Sequence, residues 1–133
     1  MKLQILDYPP LDLVTDPADK YLACDTVIPP ERARMYNAMY CDQEADLKNP
    51  LCSPVFASEK ELTGLPEALI LTAGLDSLHP EAEKYAAMLL SAGVPVTARC
   101  FKNSHHGFTN QAKDEYEGAH AMILRALKNA FRD

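Results

Sequence analysis

Short apolar runs alternate along this chain with longer stretches in which apolar residues recur three and four positions apart. Leu3 to Tyr8 is the first run, stopped by Pro9-Pro10, and reads as a strand ended by a turn. Ala68-Leu69-Ile70-Leu71-Thr72 is continuous, the pattern of a strand buried on both faces. Pro95 to Phe101 is a third strand, with Pro95 tolerated as its first residue. Between the second and third runs, Pro80 to Ala92 reads as a helix, with Pro at its start, Glu81 and Glu83 in its first turn and Gly93 just past its end. Its apolar residues Ala82, Tyr85, Ala86 and Leu89 fall on one stripe that must face a core. The spacing of Tyr116, Ala119, Ile123, Leu127 and Ala130 predicts a second helix over Ala112 to Phe131 with those residues on its buried side. Strand, helix, strand, helix implies parallel strands joined by right-handed crossovers, with functional residues at the carboxyl ends of the strands.

The segment 11–60 breaks this rhythm. Pro17, Pro29, Pro30, Pro50 and Pro54 punctuate it, and Pro66 closes the region. Pro30 to Tyr40 reads as a helix within it, with Pro near the start and Met35, Ala38 and Met39 on one side. Without repeats or low complexity, the segment is expected to be an excursion from the sheet, set apart from a core at 61–133 within a single domain, 1–133.

At 133 residues, 47% hydrophobic and 24% charged, the chain has the length and composition of one globular domain with a real core. A net charge of −6 with no basic run argues against nucleic-acid binding, since nothing supplies the Lys/Arg stripe a phosphate backbone needs. Met1 to Asp7 has no long apolar stretch of the signal-peptide kind, and no run approaches the roughly 18 apolar residues of a membrane span. Cys24, Cys41, Cys52 and Cys100 are scattered with no C-x-x-C pair, which reads as reduced thiols in a cytoplasmic protein. No metal or organic cofactor is implied.

Two motifs carry the chemistry. Ala73-Gly74-Leu75-Asp76 follows the second apolar run, and His105-His106-Gly107-Phe108 follows the third. An acid and then a base, each after a strand, is the order of the last two members of a Ser…Asp…His triad. From Gly64 to Phe108, with Gln4 to Pro9, Asn49-Pro50 and Ser53-Pro54 before it, the chain resembles the C-terminal half of an α/β-hydrolase of the hormone-sensitive-lipase-like esterase/lipase family. The resemblance implies a partial α/β-hydrolase fold of about three parallel strands with flanking helices, residues 11–60 standing where that family carries a cap. It also implies that Asp76 is the triad acid and His106 the general base, with His105 on a variable position. By the same likeness Met35, Met39 and Tyr40, with Tyr36, are candidates for lining an acyl pocket, with core packing or a lid helix without substrate contact as the alternative.

The family's His-Gly-Gly-Gly oxyanion segment and its Gly-Asp-Ser-Ala-Gly-Gly nucleophile turn are absent from these residues. None of Ser53, Ser58, Ser77, Ser91 and Ser104 has glycine two positions away on both sides. Ser104 beside His105 suggests a local nucleophile pair, and His79, His105 and His106 with Asp76 a metal site; neither has the spacing such chemistry needs. The expectation is therefore the acid–base part of a carboxylic-ester hydrolase for small esters, inactive or very weak alone and completed by a missing N-terminal half. The alternative is a non-catalytic remnant that binds or dimerises. An open Leu3–Tyr8 strand edge favours a homodimer joined there.

Overall fold

A computed structural model of the chain describes residues 1–20 and 28–132. Cys24 lies outside the described residues, as does part of the segment between the first two strands. Three parallel strands form one sheet in the order β1 (Leu3–Asp7), β2 (Glu67–Ala73), β3 (Val96–Phe101). Leu3 stands opposite Glu67 and Asp7 opposite Leu71; Ala68 stands opposite Val96 and Ala73 opposite Phe101. The apolar run in β2 earns its central place, because every residue after Glu67 is buried.

Side chains alternate across a strand, so β2 supplies two cores at once. Ala68 and Ile70 pack with Ala82, Tyr85, Ala86 and Leu89 of helix α3 (His79–Ser91, after α1 at Pro30–Tyr40 and α2 at Glu59–Leu62). Leu69, Leu71 and Ala73 pack on the opposite face with Phe101, Phe108 and Ala119. All four residues of the expected α3 stripe are buried.

The last helix differs from its sequence pattern. A short helix α4 (Phe108–Gln111) comes first, and α5 spans Tyr116–Ala130 and not Ala112–Phe131. Ala112 and Asp114 adopt left-handed φ values of 51° and 52°, which interrupt a helix that periodicity alone would run through. Of the residues expected on its inner side only Ala119 is buried, while Leu127 is exposed. The open β1 edge has no further strand paired to it among the described residues.

The segment 11–60 is tied to the sheet core by polar contacts. Glu81, in the first turn of α3, accepts the backbone N–H of Leu11 at 2.6 Å and of Asp12 at 3.1 Å. Its other oxygen lies 2.6 Å from Lys20 Nζ, in a pair whose side chains are 6% (Lys20) and 9% (Glu81) exposed. Ser53, wholly buried, accepts the N–H of Leu13 at 2.9 Å. Helix α1 buries none of its residues and is held instead by a two-pronged Arg34–Asp16 ion pair, 2.8 and 2.7 Å.

Beyond β2 the chain passes so close to the end of β3 that position 74 has no room for a side chain. A Cβ on Gly74 would stand 2.6 Å from the Lys102 carbonyl oxygen and 2.7 Å from its Cα. Both are backbone atoms and cannot swing away. Gly74→Ala is expected to cost about 1–3 kcal/mol, as an overpacked core does. Urea unfolding would show it as a lower midpoint at unchanged slope; an unaltered midpoint would mean that the two strand ends are free to separate.

Candidate active site

The two motifs singled out in the sequence meet at the carboxyl ends of β2 and β3. The turn after β2 is closed by Gly74 N–H to Phe101 O, 2.8 Å, and Leu75 N–H to Ser104 O, 3.0 Å, which fastens the acid-bearing loop to the base-bearing one. Asp76 is 6% exposed. One of its oxygens accepts the N–H of Leu78 at 3.1 Å and the other faces His106 Nδ1 at 2.8 Å. With Nδ1 donating to the carboxylate, the neutral imidazole keeps its lone pair on Nε2. Among the described residues Asp76 is the hydrogen-bond partner of His106, and no hydroxyl or thiol is paired with its Nε2.

Position separates the two histidines. His105 is turned to Asp114, whose Oδ2 accepts its backbone N–H at 2.9 Å and lies 3.1 Å from its Nδ1. Those two contacts hold the Asp114 carboxyl below the usual carboxylate range, the backbone N–H contributing most. Ser104 is wholly buried and meets Glu115, with its hydroxyl 3.4 Å from Glu115 Oε2 and accepting the Glu115 N–H at 3.3 Å. It is therefore engaged away from His105. Among the described residues no three His, Cys, Asp or Glu side chains are grouped as metal ligands would be.

Gly107, next to His106, has φ 81°, a left-handed conformation that starts α4 and turns the chain back toward β1. There a network not anticipated from the sequence supports His106. The Tyr8 ring meets the imidazole edge-on, centroids 4.7 Å apart. Thr109 donates to Asp7 Oδ2 at 2.5 Å, so its single proton is committed and the Tyr8 hydroxyl, 2.8 Å away, donates to Thr109. Burial pushes the Asp7 carboxyl above its usual range, against the Thr109 hydrogen bond that lowers it, and its second oxygen is buried without a partner. Asp7 and Tyr8 close the first strand just as Asp76 and His106 follow the other two. That shared position was the available signal.

A cavity of about 260 Å³ opens beside the dyad, lined by Asp76, Ser77, Leu78 and His106 on one side and by Pro30, Ala33, Tyr36 and Asn37 of α1 on the other. Residues 33, 36, 37 and 40 share one helical stripe, and Met35 and Met39 lie off it. Both methionines are exposed and do not line the cavity, which departs from their expected place in an acyl pocket. Tyr40 lines an adjoining groove with Leu51 and Cys52, its hydroxyl donating to Leu51 O at 3.3 Å.

Comparison with known proteins places this geometry. Residues 1–110 match the family described as the alpha/beta hydrolase fold. The chain belongs to that family. It is 35% identical over 94 residues to an arylesterase of Saccharolobus solfataricus, covering 71% of this chain and 30% of the relative. It is 35% identical over 66 residues to the hormone-sensitive lipase of Homo sapiens, covering 50% and 6%. A fungal esterase structure from Rhizomucor miehei superposes with a TM-score of 0.81 at 29% identity, covering 98% of this chain and 43% of that one. The chain thus spans less than a third of the curated relatives' length and under half of the solved esterase. The likeness to hormone-sensitive-lipase-like esterases and lipases and the α/β-hydrolase architecture expected from the sequence both hold. No helix among the described residues is long and apolar enough to cross a membrane.

Proposed function

We propose that this chain supplies the acid and base of a serine-type carboxylic-ester hydrolase, with residues 11–60 as its cap and residues 61–133 as its core. The observation that carries this reading is the 2.8 Å contact of Asp76 with His106 Nδ1 beside a mostly apolar cavity. His106 Nε2 would take the proton of an attacking hydroxyl and return it to the leaving alcohol. Asp76 would stay ionised, hold the ring in the required tautomer and stabilise the imidazolium. The nucleophile and the oxyanion donors belong, in this reading, to a segment preceding these residues in the catalytic unit, on the same longer chain or on a second polypeptide. The cavity is small, which suits a short ester.

Turnover of p-nitrophenyl butyrate tests it. The chain alone is expected to stay near the buffer rate, lacking the donors that contribute most to acyl transfer. Co-expression with the polypeptide encoded immediately upstream of Met1 is expected to give turnover that His106→Ala removes. Ester hydrolysis by the chain alone that survives His106→Ala would sink the proposal.

A second reading, a dimerisation module, rests on β1. Its five residues are only half-buried, and Leu124, Leu127 and Phe131 of the neighbouring C-terminal stretch are exposed. Pairing of two β1 edges would cover them. A monomeric mass by sedimentation at high concentration would exclude it.

A further inference from the structure

The fold brings together two cysteines that nothing in their spacing links. Cys41 caps the C-terminal end of α1, and Cys52 lies eleven positions later with its sulfur 3.0 Å from that of Cys41. A disulfide needs about 2.05 Å, so the two sulfurs have about 1 Å left to close. We propose that Cys41 and Cys52 form a dithiol–disulfide site that locks α1 over the cavity when oxidised. The pair is independent of whether the ester site is completed.

The two thiols sit on bodies of different firmness. Cys52 belongs to a turn in which the N–H groups of Cys52 and Ser53 both reach Asn49 O at 2.8 Å, and Ser53 is buried against Leu13. Cys41, itself buried, follows directly on a helix with no buried residue, fastened mainly by the exposed Arg34–Asp16 pair. A covalent bond between them would tie the loosely seated helix to the firmly seated turn. Through α1 it would fix Ala33, Tyr36 and Asn37, which face Asp76 and His106 across the cavity. Cys100, the other described cysteine, is free of this pair.

The chemistry balances with a low-molecular-weight disulfide such as oxidised glutathione as the oxidant. One cysteine thiolate attacks it, forming a mixed disulfide and releasing one glutathione thiolate. The second cysteine thiolate then displaces the other. The two protons lost by the cysteines end on the two glutathiones, and the protein dithiol is oxidised as glutathione disulfide is reduced. The hydrogen bond to Cys41 pushes the Cys52 thiol up to about 11, so at neutral pH Cys52 is held mostly as the thiol. Oxidation should therefore quicken as pH rises from 7 to 9, close to tenfold per pH unit where the thiolate is the minor species.

The full chain, equilibrated in glutathione buffers of increasing oxidised fraction and then alkylated, gives the test. Trypsin should release the peptides Met35–Lys48 and Asn49–Lys60 joined, about 2 Da lighter than their sum. Amide exchange in Arg34–Cys41 should slow at least about tenfold on oxidation, with β2 unchanged. Cys52→Ser should abolish both effects. Absence of the joined pair at every glutathione ratio, or joining of Cys24 or Cys100 in its place, overturns the site; joining without slower exchange in α1 overturns the lock.

Discussion

Asp76→Asn in the completed hydrolase is expected to lower kcat by roughly 10⁴-fold while leaving KM little changed. Asp76 spends one oxygen on the Leu78 N–H and the other on His106 Nδ1. An asparagine can donate its amide N–H to His106 Nδ1, which favours the tautomer with the ring proton on Nε2 and leaves no lone pair there for the nucleophile's proton. Loss of the carboxylate also removes the charge that stabilises the imidazolium. His106→Ala should cost at least as much, and adding Asp76→Asn to it should lower kcat little further, because the two act as a unit. His105→Ala is the control: its ring is committed to Asp114 on the exposed side, so kcat should not move. A drop in kcat for His105→Ala comparable to that for His106→Ala would mean that the wrong histidine has been assigned.

Glu81→Ala is expected to destabilise the fold by about 3–5 kcal/mol, a large share of the roughly 5–15 kcal/mol that holds a domain together. The substitution strips the ion-pair partner from Lys20, whose side chain is 6% exposed and whose ammonium keeps only the Asp12 carbonyl at 2.8 Å, and leaves the Leu11 and Asp12 N–H groups without their acceptor. Truncation is costly even where the intact pair is a poor stabiliser. Burial raises the Glu81 carboxyl above its ordinary 4.5, outweighing Lys20 and the two backbone donors that pull it down. A raised pKa means that the folded state binds more protons than the unfolded one. The corresponding stability is therefore present below about 4.5 and lost as pH rises through the higher folded value. Asp16 runs the other way: Arg34 holds it at about 2, so its contribution appears as pH climbs from there toward the usual carboxylate range. Urea midpoints measured against pH check both signs. Relative to Glu81→Gln, the natural chain should lose ground as pH rises above 4.5; a gain would show that Lys20 outweighs burial.

The legible parts of this molecule were those decided within a few residues. The β2 run and the α3 stripe carry their whole instruction locally, as apolar continuity and helical spacing with a proline at the start. Helix α5 was misjudged at its beginning because the interruption at Ala112 and Asp114 is written by distant partners. Asp114 holds the His105 N–H, and Glu115 holds that of Asn103 at 3.1 Å. Asp76 and His106 could be singled out because each follows a strand in a recognisable motif, and the fold brings them to 2.8 Å. Tyr8 and Thr109, a hundred and one positions apart, and Lys20 and Glu81, sixty-one apart, leave no mark in any local window. The apolar character of Met35 and Met39 is plain in the sequence, but only packing decides that Ala33, Tyr36 and Asn37 are the α1 residues facing the cavity.

The separation of the paired strands also orders events in time. β2 and β3 are joined through one helix, and Asp76 and His106 are thirty positions apart. β1 reaches β2 only after the whole proline-punctuated excursion has been gathered in, as the Gln4–Pro66 hydrogen bond, sixty-two positions long, records. Closing the longer loop is slower and is rewarded later, so the β2–α3–β3 unit is expected to form first, with β1 docking onto it. The Asp76–His106 pair lies within that unit, while the Tyr8 ring that meets His106 edge-on is expected to arrive with the last strand to join.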